Sequence, residues 1–220
     1  MKYMKQNIKS QIFQGKQLTY RTFNVYIRKY KEVMYKMVQP VIVKEIKDPQ
    51  KLNELFKQRY KTFVIDQKAA PAKLYKDQLM KDDFDDKAIH LGAYVDGMLL
   101  GSVSVVIKKQ DQGLLFIEKC HNIQLKVGES AEVMRLIIPN NSVTNSFINK
   151  NRILKKLLQA VKRIIITHNI QEVYLQTTKS AEKIYKKIGF EQIGPYRLYE
   201  GISDEAPMML KIHNVNKNII

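Results

Sequence analysis

The chain has 220 residues, 45% apolar and 27% charged, the balance of a soluble globular protein with one full core. No apolar run approaches the roughly 18 residues that cross a bilayer, and Lys2, Lys5, Lys9 and Lys16 break up any signal-peptide-like start, so a cytoplasmic protein is expected. The formal charge of +17 comes from 31 Lys and 7 Arg against 21 acids; it fits a lysine-biased composition, or an acidic partner such as nucleic acid, an anionic membrane or an acidic protein.

Residues 1–38 carry nine basic side chains and one acid, Glu32. From Tyr20 to Val38 the apolar residues Tyr20, Phe23, Tyr26, Ile27, Tyr30, Val33, Met34 and Met37 fall at helical spacing. An amphipathic basic helix over 1–40 is therefore expected as an extension. It either docks on the main domain or lies peripherally on an anionic inner-membrane surface.

Pro40 ends that helix, and residues 41–220 form the main domain. VIVKEI (41–46) reads as a strand. Asp48-Pro49 is a helix start, with Asp at the cap and Pro in the first turn. Leu52, Leu55, Phe56, Phe63 and Val64 give a helix of about 51–65 one apolar face. A polar connection ends in the acidic run KDDFDD (81–86). AIHLGAYV and MLLGSVSVVI, joined by Asp96-Gly97, read as a hairpin, because Asp and Gly tolerate the positive φ of a type I′ turn. Residues 108–130 are expected to be irregular. AEVMRLII (131–138) is a strand, 139–151 an Asn-rich loop, and about 150–168 a patterned helix. EVYLQTT (172–178) is a strand, SAEKIYKKI a short helix closed at Gly189, and strands near 191–199 and 207–213 complete the domain. The strand–helix–strand unit over 131–178 calls for parallel neighbours, whereas the hairpins are antiparallel. A mixed α/β fold follows, with a central mixed sheet flanked by helices.

This order resembles the GNAT acyltransferase superfamily over roughly residues 41–213. IYKKIGFEQIG (184–194) is similar to its helix-to-strand passage, in which a tyrosine precedes Gly-Phe. A narrower resemblance is to the acyl-homoserine-lactone (autoinducer) synthases and the N-acyl amino acid synthases. It rests on RYKTF (59–63), on DDFDDKAIHL (82–91), and on AEVMRLII with its Glu-x-x-Arg strand, followed by a long helix and Pro207-Met208. Three departures favour the N-acyl amino acid branch. Ser104 stands where lactone synthases carry an arginine, their early tryptophan is missing, and Met80 stands at their first acidic glutamate.

The resemblance implies transfer of an acyl group, long-chain in that branch, from a pantetheine thioester to the amine of an amino acid or similar small molecule. The donor is a co-substrate, an acyl carrier protein or coenzyme A, and no bound cofactor is expected. Coenzyme A users in the superfamily cradle the pyrophosphate on a glycine-rich loop; here no glycine stands between Gly128 and Gly189. A carrier protein presents a single phosphate and is acidic, so Arg152, Lys155, Lys156, Lys162 and Arg163 are candidates for docking it. The alternative is an ordinary solvated helix face.

Aminolysis of a thioester needs a deprotonated amine, a stabilised oxyanion and a proton for the thiolate. By resemblance Glu132 lines the thioester and takes the amine proton, and Tyr185 faces the sulfur as the acid. The plain alternatives are a strand-end salt bridge and a packing tyrosine. Asp82, Asp85 and Asp86 either bind the substrate amine or pair with Arg59 and Arg135, and either arginine can instead hold a substrate carboxylate. His90, inside an apolar strand, reads as a core histidine. Cys120 beside His121 does not make a dyad, and no metal spacing is present. Nucleic acid is disfavoured by the absence of Trp, RNP-like strands or a helix-turn-helix. The competing functions are a lactone synthase, a coenzyme A-dependent N-acetyltransferase, or a GNAT-shaped binding module without catalysis.

Overall fold

A computed structural model describes residues 25, 39–141, 144–199 and 203–212. The basic helix expected over 20–38 lies, but for position 25, outside the described residues. The elements below belong to the compact unit Val41–Ile220.

Strand β1 (Ile42–Glu45) leads to Asp48, whose carboxylate accepts from the Lys51 N–H at 2.9 Å and so caps helix α1 (Pro49–Arg59). The helix does not run to 65 as one α-helix. From Tyr60 to Asp66 it widens into a π-helix, with Gln67 N donating to Thr62 O. The change of pitch re-aims the chain: Leu55 and Phe56 pack with Ile46, whereas Val64 packs with Ala70 and Met80. Strands β2 (Ile89–Val95) and β3 (Met98–Ile107) form the expected hairpin, and Asp96 and Gly97 take φ of 51° and 75°.

The stretch 108–130 contains a helix, α2 (Phe116–His121), that hydrophobic periodicity cannot disclose in six residues. Glu118 organises it: its carboxylate accepts from Leu115 N at 2.6 Å, Leu125 N at 2.9 Å and the buried Lys108 ammonium at 2.6 Å. Next come β4 (Ser130–Ile137), α3 (Phe147–Thr167), β5 (Glu172–Thr178) and α4 (Glu182–Ile188). The C-terminal strands are β6 (Glu191–Gln192), β7 (Arg197–Tyr199) and β8 (Ser203–Lys211). The last strand starts at Ser203, earlier than the expected 207, because residues 203–206 also pair with β7 and β5.

The sheet has eight strands in the order β1-β2-β3-β4-β5-β8-β6, with β7 also on β8. Only β4 and β5 run parallel; the other pairings are antiparallel. Alternation along the strands gives two faces. Leu91, Ala93, Val103, Val105 and Ala131 pack against α3 through Ile153, Leu157, Val161 and Ile165, and Tyr185 and Ile188 of α4 join them. On the opposite face Val106, Met134 and Tyr174 meet Leu115 and Ile117 beside α2. His90, Ser104 and Glu132 share that second face by register. No helix among the described residues is long and apolar enough to cross a membrane.

Gly189 ends α4 at φ 107°, and a Cβ there would meet Leu210 Cδ1 at 3.3 Å. Gly189→Ala is expected to cost about 1–2 kcal/mol from the left-handed backbone, read as a lower urea midpoint with an unchanged slope. An unchanged midpoint would show that α4 can end without this turn.

Candidate active site

Strands β4 and β5 are joined by three residue pairs, Ser130↔Glu172, Ala131↔Val173 and Glu132↔Tyr174. Beyond Glu132 they part, although β4 continues to Ile137 and β5 stays paired with β8 through Thr178. The gap leaves strand edges without a mutual ladder, where an extended ligand can bond to the backbone. A bulge sharpens the divergence. Between the pairs Ser104↔Met134 and Ser102↔Ile137 strand β4 holds one residue more than β3, and Arg135 there has φ 54°. Such a conformation is costly for a non-glycine residue and clusters at functional sites.

Glu132 stands at the start of the gap, 1% exposed. Its two carboxylate oxygens lie 3.1 and 3.2 Å from the Ile117 N–H, in the first turn of α2. Among the described residues no cation pairs with it, so the strand-end salt bridge is absent. Burial pushes its pKa up to about 8, against the pull of the Ile117 N–H, the Gln176 amide and the Phe116 N–H. A carboxyl titrating near neutrality at a strand opening can exchange protons with a substrate. Gln176 lies on β5, two residues past the last β4 pair. Its Oε1 is 2.8 Å from His121 Nε2 at the end of α2.

The four residues expected to bind substrate are brought together on the same face. Arg59, fully buried, donates to Asp85 at 2.5 Å, and Arg135 donates to both oxygens of Asp85 at 2.9 Å and also pairs with Asp82. The carboxylates thus pair with the arginines. Burial pushes the Asp85 pKa up and the Arg59 guanidinium draws it back. His90, which periodicity assigns to the core, and Ser104 complete the cluster, both buried. His90 Nε2 faces the Asp85 carbonyl at 3.0 Å, while Nδ1 faces Arg59 Nη2 at 3.2 Å and Ser104 Oγ at 2.8 Å. A carbonyl only accepts and a guanidinium only donates, so His90 is neutral with its proton on Nε2. Its pKa is held down by burial and by Arg59. Asp86 lies outside the cluster, exposed and paired with Lys81 at 2.9 Å.

Tyr185 sits elsewhere, half-buried on α4 with its ring edge-on to Phe190 at 6.0 Å between centroids. Burial raises its pKa. On α3, Lys155, Lys156 and Arg163 are exposed, and Arg152 and Lys162 are partly buried. The loop before α3 closes on itself: Asn141 N donates to Thr144 Oγ1 at 3.0 Å, Thr144 N to Asn141 Oδ1 at 2.8 Å, and Asn145 N to Asn141 O at 2.9 Å. Among the described residues no group of His, Cys, Asp and Glu is arranged to hold a metal ion.

Comparison with known proteins follows the same outline. The family model described as N-acyl amino acid synthase FeeM matches residues 53–212. The structure of the acyl-homoserine-lactone synthase LasI is similar, with a TM-score of 0.62 and 18% identity over 80% of this chain and 91% of that one. The structure of FeeM, an N-acyl amino acid synthase from uncultured soil microbes, gives 0.60 and 14% identity over 80% and 92%. A probable acetyltransferase from Staphylococcus epidermidis ATCC 12228 gives 0.52 and 16% over 79% and 100%. No curated protein matches by sequence. At these identities the structural likeness establishes the GNAT-like fold.

Two outcomes follow from the buried charges. Arg59→Met is expected to cost about 3–5 kcal/mol, because Asp85 loses its buried partner. Adding Asp85→Asn should recover part of that loss in a double-mutant cycle followed by urea unfolding; strict additivity would deny the pair. Glu132 makes stability depend on pH. Its folded pKa stands above the ordinary 4.5, so its contribution to stability is full below about 4.5 and is lost as pH rises towards about 8. Glu132→Gln has no charge to bury, so its Tm relative to wild type should climb between pH 5 and 8. A difference flat with pH would contradict the raised pKa.

Proposed function

The chain belongs to the N-acyl amino acid synthase FeeM family, and on that premise we propose that it transfers a long-chain acyl group from an acyl carrier protein to the amine of an amino acid or similar small molecule. Family and fold make the protein an acyltransferase. Donor, acceptor and residue roles are the proposal.

The observation that carries the choice of donor is the 139–151 loop. It has no glycine, and the N–H groups of Asn141, Thr144 and Asn145 are taken up inside the loop. A pyrophosphate cradle needs such groups turned outward. A carrier protein brings one phosphate and an acidic surface, which suits the exposed Lys155, Lys156 and Arg163 with Arg152 and Lys162 beside them.

In this reading the acyl-pantetheine arm lies in the gap between β4 and β5, bonding to the unpaired backbone edge of β4. The Glu132 carboxyl exchanges protons with the reacting centre. The Arg59–Asp85–Arg135–Asp82 cluster holds the bulge at Arg135 in place and so fixes the backbone beside the thioester. The Tyr185 hydroxyl is the other candidate acid. However, a phenol with a raised pKa gives up its proton less readily than a carboxyl at about 8 to a thiolate whose own pKa is about 8.5.

Turnover of one acyl chain on the two donors, with products identified by mass spectrometry in a mixture of the standard amino acids, tests the proposal. An N-acyl amino acid formed faster from the carrier protein is expected. Reversing charge at Lys155, Lys156 and Arg163 should raise KM for the carrier about tenfold with little change in kcat, and added salt should do the same. Equal or faster use of acyl-coenzyme A would overturn the donor, and no acylated amine from either donor would overturn the function.

A further inference from the structure

We propose that His121 is the proton acceptor for the incoming ammonium group, and that Glu132, linked to it through Gln176, is the proton donor to the departing sulfur. The inference rests on the acyl transfer proposed above and assigns its proton path.

His121 ends α2, which packs on β5 and β7, and is 7% exposed. Its Nε2 faces Gln176 Oε1, an atom that only accepts, so Nε2 carries the hydrogen. The same amide then turns its nitrogen towards Glu132, lowering the carboxyl's pKa without the alignment of a full hydrogen bond. Two of the buried polar atoms that lack a hydrogen-bond partner among the described residues stand here: His121 Nδ1, a bare lone pair, and Gln176 Nε2, an amide N–H donor. Buried polar atoms left unpaired cost about 1–3 kcal/mol each, and both belong to residues around the place where β4 and β5 part. An ammonium N–H supplies what Nδ1 lacks, and a carbonyl or carboxylate oxygen supplies what Nε2 lacks.

The surroundings divide the roles. Burial lowers the His121 pKa; the Gln176 contact opposes this, and the Arg197 cation on β7 adds to it. Burial raises that of Glu132 to about 8. At neutral pH the imidazole is therefore a free base and the carboxyl largely an acid, the opposed pair expected of acid–base partners. The charged groups around His121 are Arg197 on β7 and, through Gln176, Glu132 on β4. On its own helix are Glu118, engaged by Lys108, and Lys119, over the Phe84 ring. Gln176 of β5 is uncharged.

The step balances. The acceptor's ammonium gives one proton to His121 Nδ1, and the freed nitrogen lone pair bonds to the thioester carbon. As the carbon–sulfur bond breaks, the sulfur takes its electron pair and the Glu132 proton. Glu132 recovers a proton from the now acidic amide nitrogen, and His121 releases its own to water. The net products are an amide, a thiol and one proton.

The test is a single-turnover pH profile with a lauroyl carrier protein and the standard amino acids. Wild type should lose rate on the acid side as His121 protonates. His121→Gln should lose that acid limb, fall about 10²–10⁴-fold at neutral pH, and regain rate tenfold per pH unit up to about pH 8, where Glu132 gives up its own proton. A wild-type profile in the variant, or a loss uniform at all pH, would overturn the assignment. If the variant does not fold, the ring nitrogen shifts of His121 in the wild-type protein decide. A neutral ring protonated on Nε2 is expected, and protonation on Nδ1 overturns the proposal. A wild type that turns over no donor would instead strike at the transfer reading itself.

Discussion

Three residue pairs hold the two halves of the sheet together. On one side stand β1 to β4, on the other β5 to β8, and among the described residues the parallel ladder from Ser130–Glu172 to Glu132–Tyr174 is their only strand pairing. A ladder this short fixes the halves at one end and leaves the other end open. The gap that follows is therefore a consequence of topology. Glu132 is the last paired residue of β4 and borders that gap.

The same constraint explains the cost accepted on either side of the gap. Arg135 sits at φ 54° because β4 must turn away from β5 while staying paired with β3. Its guanidinium then reaches Asp85 and Asp82, and Arg59 closes the cluster from α1. With two arginines, two carboxylates and a neutral His90, the formal charges cancel, which suits a site removed from water. Glu132 has no such compensation. Backbone N–H groups of a short helix and a glutamine amide surround it, so its charge is poorly supported and its pKa rises. A compensated charge at Arg135 and an uncompensated carboxyl at Glu132 thus stand three residues apart on one strand.

Much of this was legible in the sequence. The Asp48-Pro49 start, the Asp96-Gly97 turn, the patterned α3 and the Gly189 stop depend on local chemistry, and each stands where expected. The acidic run and the two arginines were rightly grouped, because carboxylates beside a buried strand need cations. What escaped was non-local. Helix α2 is six residues long and owes its existence to Glu118, Lys108 and Glu132, two of them outside the helix. The π-turn after Arg59 follows from two separate apolar clusters that no window of sequence displays. His90 reads as a core residue by periodicity and is indeed buried, but its partner Arg59 lies 31 residues away, and Ser104, 45 residues from Arg59, joins the same cluster. Gln176 and His121 are 55 apart in sequence, and neither carries a motif.

The central claim is that the donor's pantetheine arm lies in the gap between β4 and β5. Hydrogen exchange by mass spectrometry, with a carrier protein bearing a non-hydrolysable acyl-pantetheine thioether, measures this directly. New protection is predicted in peptides covering 133–137 and 175–178, with none added in β1 and β2. Protection confined to other strands, or none at tight binding, would contradict it.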